Sequence, residues 1–403
     1  MPDLITKRNI PTSWSIKRFK YCAQICNGGE YSDIEVEEGG YPVIGSGGEF
    51  ARASKFSYYG KSVLLGRKGT VDKPLFVDGA FWCVDTMFYT KIKDFMYEKY
   101  LYYCALCFPF DYYVTSTALP SMTQRDLGSQ EIAVPSRKEQ KAIADFLDKE
   151  WAQIDSIAAD LGKQIELLQQ YKRSLITETV TKGLDKSVPI KDSGVEWIGE
   201  IPEHWRLKRL KYIAKLKTGT TPPGNEGINY DENGINWFTP SDFLPNMQLD
   251  TSEKYIDRET ICYANIQTYP RGSVLLVAIG ATVGKIGISK NNAYSNQQIT
   301  AVIPQHISGN YLLYYLASKS PYIKDNALYT TLPIINNSYL QNITIVVPPT
   351  TEQEKIVEFL NRKCSIIDEL IEDKNKLLLR LQQHKKSLIY EYVTGKKRVK
   401  EVR

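Results

Sequence analysis

Apolar positions along the chain fall into two patterns. Over residues 139–181, Leu147, Ile154, Leu161, Leu168 and Leu175 recur every seventh position, with Ile143, Ile157 and Tyr171 at the half-heptad places. Residues 352–394 repeat this with Leu360, Ile367, Lys374, Leu381 and Leu388, and with Ile356, Leu370 and Leu377 between them. A seven-residue repeat held over four to five heptads predicts a coiled-coil helix in each stretch. At 1.5 Å per residue each would be roughly 65 Å long. Gly162 and Lys374 interrupt the two patterns at nearly matching places. Elsewhere short β-branched and aromatic runs, such as Tyr41 to Ile44, Val63 to Leu65 and Ile132 to Val134, stand between Gly-rich turns and predict mainly β domains with some helix.

The chain is written twice. Residues 10–28 return as 201–219 with 9 of 19 positions identical, and 139–181 return as 352–394 with 19 of 43 identical. Chance would give about 3 in the longer stretch. Ser62-Val63-Leu64-Leu65 returns as Ser273-Val274-Leu275-Leu276. The offset drifts because the second copy holds extra residues between Thr220 and Arg271, rich in Gly, Pro, Asn and Asp. The order expected is a globular domain at 1–134, a long helix at 135–186, a linker at 187–200, a second globular domain at 201–347, a second long helix at 348–394 and a basic tail at 395–403. Two helices of nearly equal length most simply pack on each other, and an internal pseudo-twofold makes them antiparallel. The fold class expected is α+β.

Composition narrows the class. The 403 residues are 42% apolar and 24% charged, as in an ordinary folded protein. Seven cysteines, an odd number without a signal peptide pattern, read as reduced thiols, and no apolar run approaches the length that spans a bilayer. A soluble, cytoplasmic chain is expected. With 51 basic against 46 acidic residues, no chain-wide positive field announces nucleic acid.

Candidate catalytic groups fail one by one. His204, His306 and His384 have no counterparts in the other half and read as solvated surface. Gly280 to Ile286 looks like a phosphate loop but has one residue too few between its glycines, and Ile286 replaces the metal-binding hydroxyl. Cys22, Cys26, Cys104 and Cys107 have zinc-like spacing, yet the second copy lacks such a set, so they read as structural thiols and no metal site is expected. Glu139-x-Lys141 is matched by Glu352-x-Glu354 at the same helix start, which favours a helix-dipole role. No catalysis and no cofactor are expected of this chain.

The duplicated set Ile10-Pro11-x-x-Trp14 and Ile201-Pro202-x-x-Trp205, with Tyr41 to Gly48, Leu64 to Thr70, and Leu119-Pro120 through Ile132-x-Val134-Pro135 to Glu139-Gln140, resembles the specificity subunits of type I DNA restriction-modification systems. The repeat from Leu332-Pro333 to Glu352-Gln353 completes the resemblance, which covers nearly the whole chain. It implies two target recognition domains, each reading one half of a split, asymmetric double-stranded DNA target, with the helices fixing the spacer. It also implies two methylation subunits supplying S-adenosylmethionine-dependent adenine methylation, and two restriction subunits supplying ATP- and magnesium-dependent translocation and cleavage. The competing readings are a coiled-coil scaffold with duplicated globular ends, and a self-sufficient methyltransferase or nuclease.

Base reading calls for Arg or Lys toward guanine and Asn or Gln toward adenine. In the first domain the candidates are Arg67, Lys68, Gly69 and Thr70, with Arg52, Lys55, Lys73, Thr115, Ser116, Thr117 and Gln124. In the second they are Thr220, Thr221, Lys285, Asn296, Gln297, Gln298, Asn336, Asn337 and Tyr339. Copy two carries Val277-Ala278-Ile279-Gly280 where copy one has Gly66-Arg67-Lys68-Gly69, so contacts are not transferable between halves. Leu147, Ile154, Leu161, Leu168, Leu175, Leu360, Ile367, Leu381 and Leu388 are expected as helix–helix core.

Overall fold

The computed structural model describes residues 10–113, 120–231, 234–329 and 332–399. The chain folds as two compact units, Met1–Gly162 with Asn375–Arg403, and Lys163–Lys374. Each long helix is thus divided between units beside its interruption, at Gly162 and at Lys374, rather than standing as a domain of its own.

In the first unit, β1 (Ser15–Arg18) leads through the one-turn α1 (Phe19–Cys22) into β2 (Ala23–Asn27). Strands β3 (Tyr41–Gly45), β4 (Gly48–Ala53), β5 (Tyr58–Tyr59), β6 (Ser62–Gly66), β7 (Leu75–Val77), β8 (Ala80–Cys83) and β9 (Met87–Ile92) follow. They form two four-stranded sheets, ordered β2-β9-β6-β7 and β4-β3-β8-β5. Helices α2 (Glu98–Ala105), α3 (Phe110–Tyr113) and α4 (Gln124–Ser129) precede β10 (Glu131–Val134), which pairs antiparallel with β1. The 46-residue α5 (Arg137–Lys182) then begins.

The unbroken apolar run of β6 has a physical reason. Val63 and Leu65 join the core made with α2 and the long helices, while Leu64 joins the core of the second sheet with Val43, Phe81 and Met87. A strand covered on both faces reads as continuous rather than alternating.

The second unit repeats the scheme. A hairpin of β11 (Ile190–Asp192) and β12 (Glu200–Pro202) spans the boundary expected between the linker and the second domain, before β13 (Arg206–Arg209) and β14 (Ala214–Thr218). The extra segment forms β15 (Ile228–Asn229), β16 (Ile235–Phe238), β17 (Gln248–Leu249), β18 (Tyr255–Ile256) and α6 (Arg258–Tyr263). Then come β19 (Val274–Val277), β20 (Ile286–Ser289), β21 (Tyr294–Ser295), β22 (Ile299–Pro304) and α7 (Gly309–Asp325). The unit's remaining elements are β23 (Leu328–Tyr329), β24 (Pro333–Ile334), α8 (Asn337–Asn342), β25 (Thr344–Val347) and the start of α9 (Thr350–Val393). The main sheet runs β14-β22-β19-β20-β17. Strand β19 divides its side chains as β6 does, Val274 and Leu276 toward the helices, Leu275 and Val277 toward the opposite core.

Within each unit the long helices pair antiparallel. Asp155 accepts from Lys385 at 2.6 Å in the first unit; Lys172 donates to Asp368 at 2.7 Å in the second, the same pair 213 residues apart in each member. Lys374, the break in the apolar repeat, donates to Gln164 at 2.6 Å. Leu147, Ile154, Leu161, Leu360, Ile367 and Leu388 are buried, and Leu168, Leu175 and Leu381 half-buried. The half-heptad positions divide. Ile143 and Ile356 are buried against the globular cores, whereas Ile157, Tyr171, Leu370 and Leu377 are exposed. A two-helix seam buries a narrow stripe, and among the described residues these four have no third element over them.

Each globular domain is fastened to the end of the other copy's helix. The Tyr100 hydroxyl shares its proton between Ala133 O (2.8 Å) and Val393 O (3.2 Å); Tyr311 does the same with Val346 O (3.0 Å) and Val180 O (2.9 Å). The last carbonyls of a helix have no partner within it, and these hydroxyls supply one. Gly183 and Gly395 end the two helices at φ +75° and +76°, seated against Trp205 and Trp14 of the repeated motif. Buried Gln140 and Gln353 join the helix starts to the segments before α2 and α7, accepting from Tyr97 N and Ser308 N.

The first-turn glutamates do more than face a dipole. Glu352 accepts from the Trp205 indole N–H at 2.9 Å and pairs with His204 at 2.7 Å, so that histidine is not simply solvated. In the first copy Arg398 takes the Glu139 carboxylate at 2.8 Å, and the Trp14 indole N–H has no partner among the described residues.

Candidate nucleic-acid interface

One arrangement of backbone hydrogen bonds recurs in both domains and gathers loops from distant parts of each. In the first, Arg67 N and Lys68 N donate to Thr86 O, Gly69 N to Pro120 O and Met122 N to Arg67 O. In the second, Ala278 N and Ile279 N donate to Gln298 O, Gly280 N to Pro333 O and Ile335 N to Ala278 O. A β-bridge joins Lys68 to Ser121, and another joins Ile279 to Ile334. A side-chain bond closes each set: Gln124 Nε2 to Asn27 Oδ1 at 2.9 Å, and Asn337 Nδ2 to Thr218 Oγ1 at 3.0 Å. Both positions follow the same logic, since Asn27 and Thr218 end the edge strands β2 and β14 just before Gly28 and Gly219. A Cβ on either glycine would lie within 2.0 Å of the carbonyl oxygen of Val84 or Asn296.

The frame is the same and its side chains are not. Arg67 and Lys68 give way to Ala278 and Ile279, Asn27 to Thr218, Ser121 to Ile334, Thr86 to Gln298, and Gln124 to Asn337. The first domain therefore presents two cations and amides; the second presents amides beside apolar side chains. Arg67 is partly held, donating to Asp85 O at 3.2 Å, while Lys68 is exposed.

The other expected residues divide. Gly69 (φ +80°) has open space on its outer side, but Gly66 serves the loop itself, since a Cβ there would meet Thr70 O at 2.5 Å. Thr70 and Lys73 continue this loop. Arg52 lies on β4 in the other sheet, paired with Glu49 at 3.2 Å, and Lys55 follows it; neither joins the frame. Thr115, Ser116 and Thr117 lie outside the described residues.

In the second domain Asn296 is 9% exposed and turns inward. Its Nδ2 donates to Gln298 Oε1, and its Oδ1 accepts from Gln298 N, so it shapes the loop that carries Gln297 and Gln298. Thr220 N donates to Ser295 O, and Thr221 bonds Gln297. Asn336 caps α8 by accepting from Tyr339 N at 2.7 Å, and Tyr339 is half-buried on the core. Lys285 donates to Phe243 O at 3.4 Å, apart from the frame. Asn27, Ser121, Thr218 and Ile334 were not anticipated; the repeated glycines that follow Asn27 and Thr218 are the only sequence signal near them.

Among the described residues no group of three or more His, Cys, Asp or Glu side chains is placed to hold a metal. Burial pushes the thiols of Cys22 and Cys107 up to about 11 and about 12, which disfavours the thiolate a metal needs. No described helix is long and apolar enough to cross a membrane.

Comparison with known proteins places this duplicated architecture. The family model described as type I restriction modification DNA specificity domain matches residues 11–167 and 202–380. The MjaIX specificity subunit of Methanocaldococcus jannaschii is 32% identical over 185 residues, 44% of this chain and 41% of that one. A putative MjaX specificity subunit of the same organism is 28% identical over 70% of this chain and 62% of its own length. The EcoR124I/EcoR124II specificity subunit of Escherichia coli is 28% identical over 58% and 54%. The matched stretches thus span between two fifths and two thirds of these relatives. Among solved structures, one from a study of complex assembly and conformational transition of the type I R-M system aligns over 96% of this chain and 99% of its own, with TM-score 0.74 at 16% identity. The HsdS subunit from Thermoanaerobacter tengcongensis aligns over 96% and 98% with TM-score 0.51. With the family model matching both halves of the sequence, the chain belongs to the type I restriction modification DNA specificity family.

Proposed function

We propose that the chain is the sequence-reading subunit of a type I restriction-modification complex and catalyses nothing itself. Each globular domain reads one half of a bipartite, asymmetric DNA target, and α5 and α9 set the unread spacer and dock two methylation subunits. Those subunits supply S-adenosylmethionine and adenine methyl transfer, and two restriction subunits add ATP- and magnesium-dependent cleavage, all in the cytoplasm. The supporting observation is the loop frame, which keeps one backbone arrangement in both domains and exchanges the side chains on it. That is what two readers of unlike half-sites need. Arg67 and Lys68 suit guanine O6 and N7, and Gln297, Gln298 and Asn337 suit adenine, with Ile279 and Ile334 offering apolar contact to a thymine methyl.

The test is genome-wide adenine methylation in a host without its own systems, expressing this chain with a methylation partner. A split motif that changes in one half when one domain is exchanged is the expected result. A stable complex that methylates nothing would refute the reading and favour a scaffold.

A further inference from the structure

What is exposed and unlike in the two domains faces something that differs between half-sites. What is exposed and alike faces something common to both. One surface patch meets the second description: Lys17, Arg18, Lys20 and Tyr21 return unchanged as Lys208, Arg209, Lys211 and Tyr212. The residue between is fully buried in each copy, Phe19 or Leu210, and its N–H donates to Gln130 O or Ile343 O, carbonyls 213 residues apart. Around this anchor Arg18, Lys20 and Tyr21 and all four residues of the second copy are exposed, while Lys17 is half-buried with its ammonium over the Phe95 ring at 4.6 Å. Tyr21 is 60% exposed and Tyr212 64%, each with its neighbouring lysine over the ring at 5.1 and 5.3 Å. Among the described residues none of the six cations forms an ion pair. Glu131 stands across from Arg18 in the β1–β10 register, where the second copy has Thr344 across from Arg209.

We propose that these two patches are phosphodiester clamps, one per domain, which hold the DNA backbone in the same way whatever bases the neighbouring loops read. The proposal rests on the DNA-reading function. Each patch adjoins the start of the edge strand, β2 or β14, whose last residue belongs to the loop frame. Four strand steps separate the two ends, about 13 Å. A major groove is about 12 Å wide, so a duplex read at the frame brings a backbone strand to the patch. Lysine and arginine without a carboxylate partner, of which Arg209 donates to Asn342 Oδ1 at 3.3 Å, stand beside an exposed tyrosine hydroxyl and suit phosphate oxygens, and contacts of this kind position a protein without carrying sequence.

The test uses the full chain and a fluorescent mixed-sequence duplex, titrated at about 50 and about 200 mM salt, with Lys20→Gln/Lys211→Gln against wild type. Each lost phosphate contact removes about 0.9 from the salt slope, so the affinity drop across this range shrinks by about 12-fold for two contacts. Lys20→Arg/Lys211→Arg restores the drop, which guards against a folding defect, and the methylated motif stays the same. An unchanged salt dependence in the glutamine variant overturns the clamp and leaves the DNA-reading function standing. Wild type that binds no duplex overturns both. Intact DNA binding with loss of a methylation partner makes the patch a protein surface, and also overturns the proposal.

Discussion

Removing the Tyr311 hydroxyl is the most direct probe of how a globular domain is held. Tyr311→Phe keeps the ring in its fully buried place and deletes one proton shared between Val346 O and Val180 O. The lost hydrogen bond is worth about 1 kcal/mol, and leaving the Val180 carbonyl unpartnered at the end of α5 adds about 1 kcal/mol more. Tyr315 lies one turn along α7 and bonds a single carbonyl, Thr344 O at 3.0 Å, so Tyr315→Phe should cost about half as much. For a unit of roughly 200 residues these losses correspond to falls of about 4–8 °C and about 2–4 °C in melting temperature. Calorimetry of the full chain reads both, and hydrogen exchange at the end of α5 locates the loosening. Equal costs for the two variants, or a Tyr311→Phe loss under about 0.5 kcal/mol, would refute the bridging role.

Other outcomes follow from particular residues. Gly395→Ala puts a Cβ within 2.5 Å of Pro11 Cδ at φ +76° and should lower the melting temperature of the first unit, whereas Gly162→Ala, in a helix interior with open space around it, should raise stability by about 0.5–1 kcal/mol. Arg67→Ala should relax the methylated motif at one base pair of one half-site, by about 1–3 kcal/mol of discrimination, leaving the other half unchanged in methylation sequencing. Lys319 is 3% exposed under Trp197 and Tyr322, and burial pushes its pKa down to about 7 from 10.5. The unfolded chain then binds more protons above that value, so stability should rise as pH goes from 7 to 9, and Lys319→Met should flatten the rise in thermal melts.

The long helices and the duplication were legible because periodicity and repetition are properties of sequence. The boundaries of burial along those helices were not. Ile143 and Ile157 look alike in the heptad, and only the first meets a globular core. The loop frame is half legible: Arg67, Lys68 and Gln124 stand out as residue types, but Thr86 and Ser121 are brought beside them by backbone bonds from far along the chain, and Asn27 by a side-chain bond from Gln124 across 97 residues. Asn296 misled for a related reason, since an amide suited to adenine is equally suited to closing its own loop. Gly66 is required by its own loop, since a Cβ there would meet Thr70 O at 2.5 Å, a close approach that only the folded backbone reveals.

The core of the first unit has a consequence for the order in which the protein is made. Leu388, Ile389 and Val393 are packed among Trp14, Phe19, Tyr100 and Leu147, and Tyr100 bonds the Val393 carbonyl. The second unit is one uninterrupted stretch, Lys163–Lys374, and has all its parts as soon as that stretch has emerged from the ribosome. The domain synthesised first must therefore wait with its apolar floor uncovered until the last helix is delivered. A nascent chain that stops short of α9's end leaves a finished second unit and an unfinished first one.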